Sequence, residues 1–154
     1  MGLKRNALSL LASAALAIGA VSTAASGPTG SEAIKARQKA MEEVNGAFKP
    51  LVAIARKEAP FDAEAVRRNA GTIADQLKAA AGLFPAGSEK GDLQTWAKPE
   101  VFTDAAGFEA ALKASLAAAG ALQAVEKEEA FGPALKELGG SCKGCHEKYR
   151  LPKH

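Results

Sequence analysis

Two cysteines and a histidine near the end of the chain have the types and spacing that carry the clearest chemistry. Cys142 and Cys145 are separated by two residues, and His146 follows directly, giving the pattern Cys-X-X-Cys-His. Two thiols at this spacing can form thioether bonds to the vinyl groups of haem, and the adjacent imidazole can then bind the iron. The motif therefore predicts one covalently attached haem c per chain, held by Cys142 and Cys145, with His146 as the proximal axial ligand.

Three other uses of the two cysteines compete with this interpretation. A zinc site needs four ligands, and only the terminal His154 could join the three motif residues after export. A thioredoxin-like redox pair needs a strand–helix–strand context that the sequence does not show. A disulfide would close a loop of only two intervening residues and would add little stability. Covalent haem attachment is the interpretation that the spacing favours most.

The first part of the chain has the pattern of a secretory signal. Lys4 and Arg5 form a positive start, an Ala/Leu-rich apolar run covers residues 7–21, and small residues follow. The apolar run is shorter than the roughly 20 residues that span a bilayer, so we expect cleavage rather than a membrane anchor. We assign residues 1–25 to a signal peptide and residues 26–154 to one exported domain, located in the periplasm, with no membrane span after cleavage.

Charge and length exclude one large class of partners. Removing Lys4 and Arg5 from the 20 basic residues leaves 18, against 17 acidic residues. A nearly balanced chain has no strong positive field for attracting nucleic acid, so nucleic acid is not expected as a partner. The remaining 129 residues are enough for one domain with its own core.

The elements that must position the motif are predicted to be helices. Apolar residues recur every three or four positions, no segment alternates with period two, and β-branched residues are scarce. The pattern predicts an all-α fold, an antiparallel up-down-up-down four-helix bundle with a long loop between helices two and three. The predicted helices cover about residues 32–57, 62–84, 104–125 and 133–150, and the predicted loop covers residues 85–102.

Met41 is the candidate for the sixth position of the iron. It lies about 14 Å into the first helix, and His146 lies about 6 Å from the end of the last, at 1.5 Å per residue. In an antiparallel bundle these two helices are neighbours, so Met41 could face the haem from the side opposite His146. Filling the core is the other role open to this side chain.

At these residues the chain resembles the class II c-type cytochromes, the cytochrome c′ family, over the length that follows the signal. The resemblance rests on the motif followed by Tyr149-Arg150, on Arg37-Gln38-Lys39-Ala40-Met41, on Pro50, and on Leu83-Phe84-Pro85. Five-coordinate members carry an apolar, non-ligating residue four positions after the arginine. Low-spin members carry a methionine there, so the resemblance implies the low-spin, His/Met-ligated branch with Met41 as the distal axial ligand.

The resemblance also implies roles for two arginines. Arg37 would contact a haem propionate one turn before Met41, and Arg150 would lie near the His146 side of the haem. A solvated charge on a helix is an equally good interpretation of Arg37, and so is a favourable interaction with the helix dipole for Arg150.

Two functions from different classes follow. The leading expectation is single-electron transfer with His/Met-ligated low-spin iron, serving a redox partner protein whose identity the sequence does not reveal. The alternative is a five-coordinate haem that binds small gases such as nitric oxide or carbon monoxide. An enzymatic function is not expected, because no catalytic cluster points to the distal side. Many proteins of this family form dimers, and the Ala-rich helix faces would suit a homodimer or a monomer.

Overall fold

Five helices make up most of residues 30–152, the part of the chain that this computed structural model describes. The predicted signal peptide, residues 1–25, and the terminal His154 lie outside the described residues. The helices are α1 (Gly30–Ala55), α2 (Ala63–Ala80), α3 (Glu100–Thr103), α4 (Ala105–Gln123) and α5 (Glu128–Tyr149).

The four long helices form the predicted bundle. α1 packs on α2, α2 on α4 and α4 on α5, while the single turn of α3 packs beside α4. Within residues 30–152 there is no strand, and one isolated bridge pairs Ala97 with Arg150 in antiparallel fashion. The all-α four-helix fold predicted from periodicity is confirmed. None of the helices in this range is both long and apolar enough to cross a membrane.

The core is built from the apolar stripes of the four long helices. Burial of each large aliphatic or aromatic side chain contributes about 1.5–3 kcal/mol to stability. On α5 the buried stripe leads directly to the motif, because Leu138 is fully buried and Cys142, one turn later, packs against the same core. The main large contributors to the core are Leu51, Ile54, Val66, Ile73, Leu77, Leu112, Leu122, Phe131, Leu135 and Leu138.

The helices differ from the prediction in three main ways. α5 begins at Glu128, not near Pro133. Two glutamates in its first turn interact favourably with the helix dipole, and the Phe131 ring is buried edge-on against the Phe61 ring, so both stabilise the added turn. Pro133 therefore lies inside the helix. α2 ends at Ala80, because the backbone N–H groups of residues 81–83 bond three residues back in tight turns before Pro85.

The predicted loop between helices two and three contains the third difference, since α3 forms one helical turn within it. Pro50, in contrast, does not end α1, as predicted, and the helix continues to Ala55, two residues short of the predicted end. Asp62 is the N-cap of α2, because its carboxylate accepts hydrogen bonds from the backbone N–H groups of Glu64 and Ala65.

Candidate haem site

One large cavity brings the predicted site residues together. It has a volume of about 1460 Å³, and its lining includes Met41 from α1 and Cys142, Cys145 and His146 from α5. Ordinary small-molecule pockets have volumes of about 300–1,000 Å³, so this cavity has room for a group as large as a porphyrin. Its walls also include residues of α2, α4 and the loop between residues 93 and 98.

The two motif cysteines lie half-buried in the cavity wall, and neither forms a disulfide. Burial raises the pKa of both thiols, and hydrogen bonding with the Ser141 and Ser115 hydroxyls opposes this rise at Cys142. Both groups are therefore neutral thiols at neutral pH. Among residues 30–152, no three His, Cys, Asp or Glu side chains form a group that could hold a metal ion.

Glycines beside the motif leave space for a flat group against α5. A Cβ atom at Gly140 or Gly144 would meet nothing within 4 Å, and one at Gly139 would meet only the Phe48 Cζ atom, at 3.9 Å. Gly139 lines the cavity, so its missing side chain widens the cavity next to Cys142. Protein packing does not require a glycine at position 139, whereas a macrocycle lying close to the helix would; Gly140 and Gly144 are exposed and do not line the cavity. The cavity residues therefore fit a haem.

Met41 occupies the α1 wall of this cavity. Its side chain is partly buried and packs against the core, as do Val44 and Phe48 on the same wall. His146 lies on the α5 wall, and its backbone carbonyl accepts a hydrogen bond of 3.0 Å from the Arg150 N–H. The structure thus places Met41 and His146 on the two helices that flank the cavity. Ligation of iron by either side chain stays a prediction.

Arg37 is buried, with 5% of its surface exposed, and its guanidinium lies 5.0 Å from the centre of the Phe84 ring. Its Nη1 donates to the Leu83 carbonyl at 3.3 Å and to Ser88 Oγ at 3.1 Å. Its Nη2 donates to the Ser88 carbonyl at 2.9 Å and to Thr95 Oγ1 at 2.7 Å. Burial lowers the pKa of Arg37. Arg37 therefore fastens the loop to α1, and its contact with a propionate stays a prediction.

Arg150 lies directly after the end of α5, on the cavity wall opposite α1. Its side chain is exposed, and its backbone ends α5 and pairs with Ala97 in the isolated bridge. The flanking bonds run from the Leu151 N–H to the Trp96 carbonyl at 2.7 Å and from the Lys98 N–H to the Tyr149 carbonyl at 3.0 Å. The position suits the predicted proximal side, and a contact of the Arg150 side chain with haem stays a prediction.

Sequence reasoning did not identify the loop residues that hold Arg37. Ser88 is fully buried and Thr95 half-buried, although both belong to a polar, glycine-containing segment with no periodic pattern. One signal was present, because Arg37 falls on the apolar stripe between Ile34 and Met41. A charged group at such a position is buried and needs several acceptors.

Comparison with known proteins gives a family and close structural neighbours. The family model described as "Cytochrome C'" matches residues 32–150. Cytochrome c′ from Rubrivivax gelatinosus is 38% identical over 122 residues, which cover 77% of this chain and 94% of the relative. Its crystal structure superimposes with a TM-score of 0.74, covering 79% of this chain and 97% of that one. Cytochrome c-556 from Agrobacterium fabrum is 37% identical, covering 78% and 82% of the two chains.

A further neighbour bears directly on the ligand. A ferrous variant of cytochrome c prime from Alcaligenes xylosoxidans, solved with bound nitric oxide, is 27% identical and has a TM-score of 0.74. The superposition covers 83% of this chain and 100% of that chain. Binding of a gas requires an iron position that the gas can occupy. The leading expectation, electron transfer by His/Met-ligated low-spin iron, is therefore wrong, and the comparisons favour the gas-binding alternative.

Proposed function

Because the chain belongs to the cytochrome c′ family, we propose that it is a periplasmic haem protein that binds small diatomic gases such as nitric oxide or carbon monoxide at a five-coordinate iron. Family membership establishes haem c as the cofactor, since covalently attached haem defines a c-type cytochrome. The observation that carries the proposal is the nitric oxide complex of the Alcaligenes xylosoxidans neighbour.

Three residues of α5 would hold the cofactor. Cys142 and Cys145 would form the two thioether bonds, and His146 would supply the proximal imidazole. Cys142 and His146 are four positions apart, so they lie on one face of the helix and line the same cavity. When bound, the haem would supply the iron to which a gas molecule binds.

The α1 wall would control what reaches that position. Met41, Val44 and Phe48 are partly buried and packed against the core, so they present an apolar cover to the cavity. An apolar surface favours small apolar molecules over water or ions, so this part of the cavity wall would favour a diatomic gas. In this proposal Met41 would cover the gas-binding side of the cavity instead of ligating the iron, and a small gas would fit beside it.

The optical spectrum of the holoprotein tests the proposal. We expect a broad, high-spin spectrum of the reduced protein that changes strongly when carbon monoxide is added. A sharp low-spin spectrum that ignores carbon monoxide would contradict the proposal, because it would require a sixth ligand that the gas cannot displace.

Two variants of Met41 distinguish a side chain that covers the gas site from one that ligates the iron. Met41→Leu keeps nearly the same volume and removes the sulfur, so we expect an unchanged reduced spectrum. Met41→Ala removes most of the cover, and we expect carbon monoxide to associate about tenfold faster, the effect of lowering a barrier by about 1.4 kcal/mol. The exposed neighbour Lys39→Ala serves as the control. A change from a low-spin to a high-spin spectrum in Met41→Leu would show that Met41 is a ligand.

Two other predictions accompany this function. Export to the periplasm is tested by fractionating cells that express the full chain, and the homodimer is tested by the mass of the holoprotein in solution. A partner that receives electrons from this chain stays a prediction from the sequence.

A further inference from the structure

Residues 94–98, which we call the bridge segment, connect the two helices that flank the cavity. Towards α1, the Gln94 carbonyl accepts a hydrogen bond of 2.6 Å from Gln38 Nε2, and Thr95 Oγ1 accepts one of 2.7 Å from Arg37 Nη2. Towards the end of α5, the bridge segment is held by the two backbone bonds between Trp96 and Leu151 and between Lys98 and Tyr149. In addition, Lys98 Nζ donates to the Glu147 carbonyl at 2.8 Å.

This connection matters because α1 and α5 pack on each other over only a short stretch. The cavity lies between them, so the bridge segment supplies much of the direct linkage between these helices at the cavity end. Thr95, Trp96 and Lys98 all line the cavity themselves. A movement of the bridge segment would therefore change the distance between the wall that carries Met41 and the wall that carries His146.

Arg37 is the strongest attachment on the α1 side. A buried guanidinium is tolerated only when its donors are satisfied, and within residues 30–152 no buried side-chain nitrogen or oxygen lacks a hydrogen-bond partner. Hydrogen bonds from a charged donor are about twice as strong as those between neutral groups. The Thr95 hydroxyl also accepts from the Ala97 N–H at 3.2 Å, so it fixes the bend of the bridge segment as well as its attachment.

We propose that Arg37 and Thr95 are positioning residues for the gas site, and that their hydrogen bond sets the width of the cavity between α1 and α5. The proposal rests on the gas-binding function above. Loss of this bond lets the bridge segment leave α1 more often, which speeds both the entry and the escape of the gas. Neither residue contacts the gas in this account.

The test compares Thr95→Val with Thr95→Ser in the holoprotein. Valine has the shape of threonine without the hydroxyl, and serine restores the hydroxyl. We expect Thr95→Val to speed hydrogen exchange of the bridge segment amides at least about tenfold, because it removes the acceptor of both the Arg37 hydrogen bond and the Ala97 N–H hydrogen bond. We expect a similar rise in the rate of carbon monoxide rebinding after photolysis. Thr95→Ser should return both rates to those of the original protein.

Further variants distinguish the positioning role of Arg37 and Thr95 from a general effect of losing a threonine hydroxyl or a positive charge. Thr72→Val makes the same change at an exposed position of α2, where the hydroxyl bonds the Arg68 carbonyl, and should change neither rate. Arg37→Lys keeps the charge but lacks the fork that reaches Ser88 and Thr95 together, so it should speed both rates at least as much as Thr95→Val does. In the Arg37→Lys background, Thr95→Val should accelerate both rates less than it does in the original protein, because the Arg37–Thr95 bond is already lost.

Each remaining outcome is decisive. If Arg37→Lys changes the haem spectrum while Thr95→Val changes neither rate, Arg37 acts on the haem directly and the proposal is wrong. If exchange accelerates but rebinding does not, the bond only stabilises the loop and the positioning role is wrong. If the original protein binds no carbon monoxide, the proposed function fails, and with it the role in gas entry. The exchange rates would then still show whether Arg37 and Thr95 fasten the bridge segment.

Discussion

Gly139 and Gly140 are neighbours on α5 that face different surroundings. Gly140 is exposed with open space around it, so Gly140→Ala should raise the free energy of unfolding by about 1 kcal/mol, the difference in helix propensity. Gly139 lines the cavity, so a methyl group there should press on the haem, cancel this gain and shift the Soret band. Urea unfolding and the optical spectrum of both holoproteins measure the effects. Equal gains with unchanged spectra would show that no haem lies against Gly139.

Single residues also show which contacts the sequence could reveal. The Cys142–His146 motif on α5 and the inward position of Met41 on α1 each follow from residue spacing within a single helix, so both could be predicted. The partners of Arg37 could not, because Ser88 and Thr95 lie 51 and 58 positions away in a segment without periodicity. Helical spacing reports which face is buried, whereas hydrogen bonds to a distant loop depend on the path that the loop takes.

Among the helices, the start of α4 carries the clearest pH dependence. Asp104 is its N-cap and accepts from the Gly107 N–H at 3.2 Å, from Lys148 Nζ at 2.6 Å and from Tyr149 Oη at 2.8 Å. The Lys148 hydrogen bond, followed by those of Tyr149 and Gly107, lowers the pKa of the Asp104 carboxyl. Hydrogen bonding to Asp104 in turn raises the pKa of Lys148. One carboxylate thus joins the start of α4 to the end of α5.

The lowered pKa of Asp104 determines how the stability of the fold changes with pH. The ionised carboxyl stabilises the fold above its unfolded pKa of about 3.9, and this stability is lost as the pH falls through the lower folded value. Asp104→Asn keeps an N-cap residue and removes the charge. We expect the variant to be less stable than the original protein at pH 7 and the difference to shrink below about pH 4. A difference in urea midpoints that stays constant between pH 7 and pH 3 would contradict this account.

Helix ends were harder to predict than helix existence, for reasons visible at Pro133 and in the crossover loop. Proline at a first turn is common, which placed the start of α5 too late. The burial of Phe131 against Phe61 and the acidic first turn extend the helix towards its N-terminus. The first effect can be recognised only when the position of Phe61 in the fold is known, and the second only when the helix start is known. The single turn of α3 is too short to produce a periodic signal.

For the whole molecule, the core and the cavity should unfold together. Leu138 is fully buried, and Cys142 follows it by one turn. Leu138→Ala should lower the free energy of unfolding by about 2–5 kcal/mol through lost burial and a new cavity. That is a large share of the roughly 5–15 kcal/mol that stabilises a typical domain. The exposed Lys136→Ala should stay within about 0.5 kcal/mol of the original protein.

Thermal unfolding followed by helical circular dichroism and by the Soret band measures this effect. We expect both signals to shift to lower temperature by the same amount in Leu138→Ala. Separate shifts would show that the haem site and the bundle core are independent units.

The turns that join α1 to α2 and α4 to α5 lie at the end of the bundle away from the cavity, where Lys57 and Glu128 form an ion pair. The loop of residues 81–99, at the other end, is held by hydrogen bonds to Arg37 and to the end of α5, so residues inserted there would disrupt these contacts. The exposed Glu126 is accordingly the place for a linker to a solid support. A molecule tethered there would stand with its cavity facing the sample, the orientation that an immobilised gas detector requires.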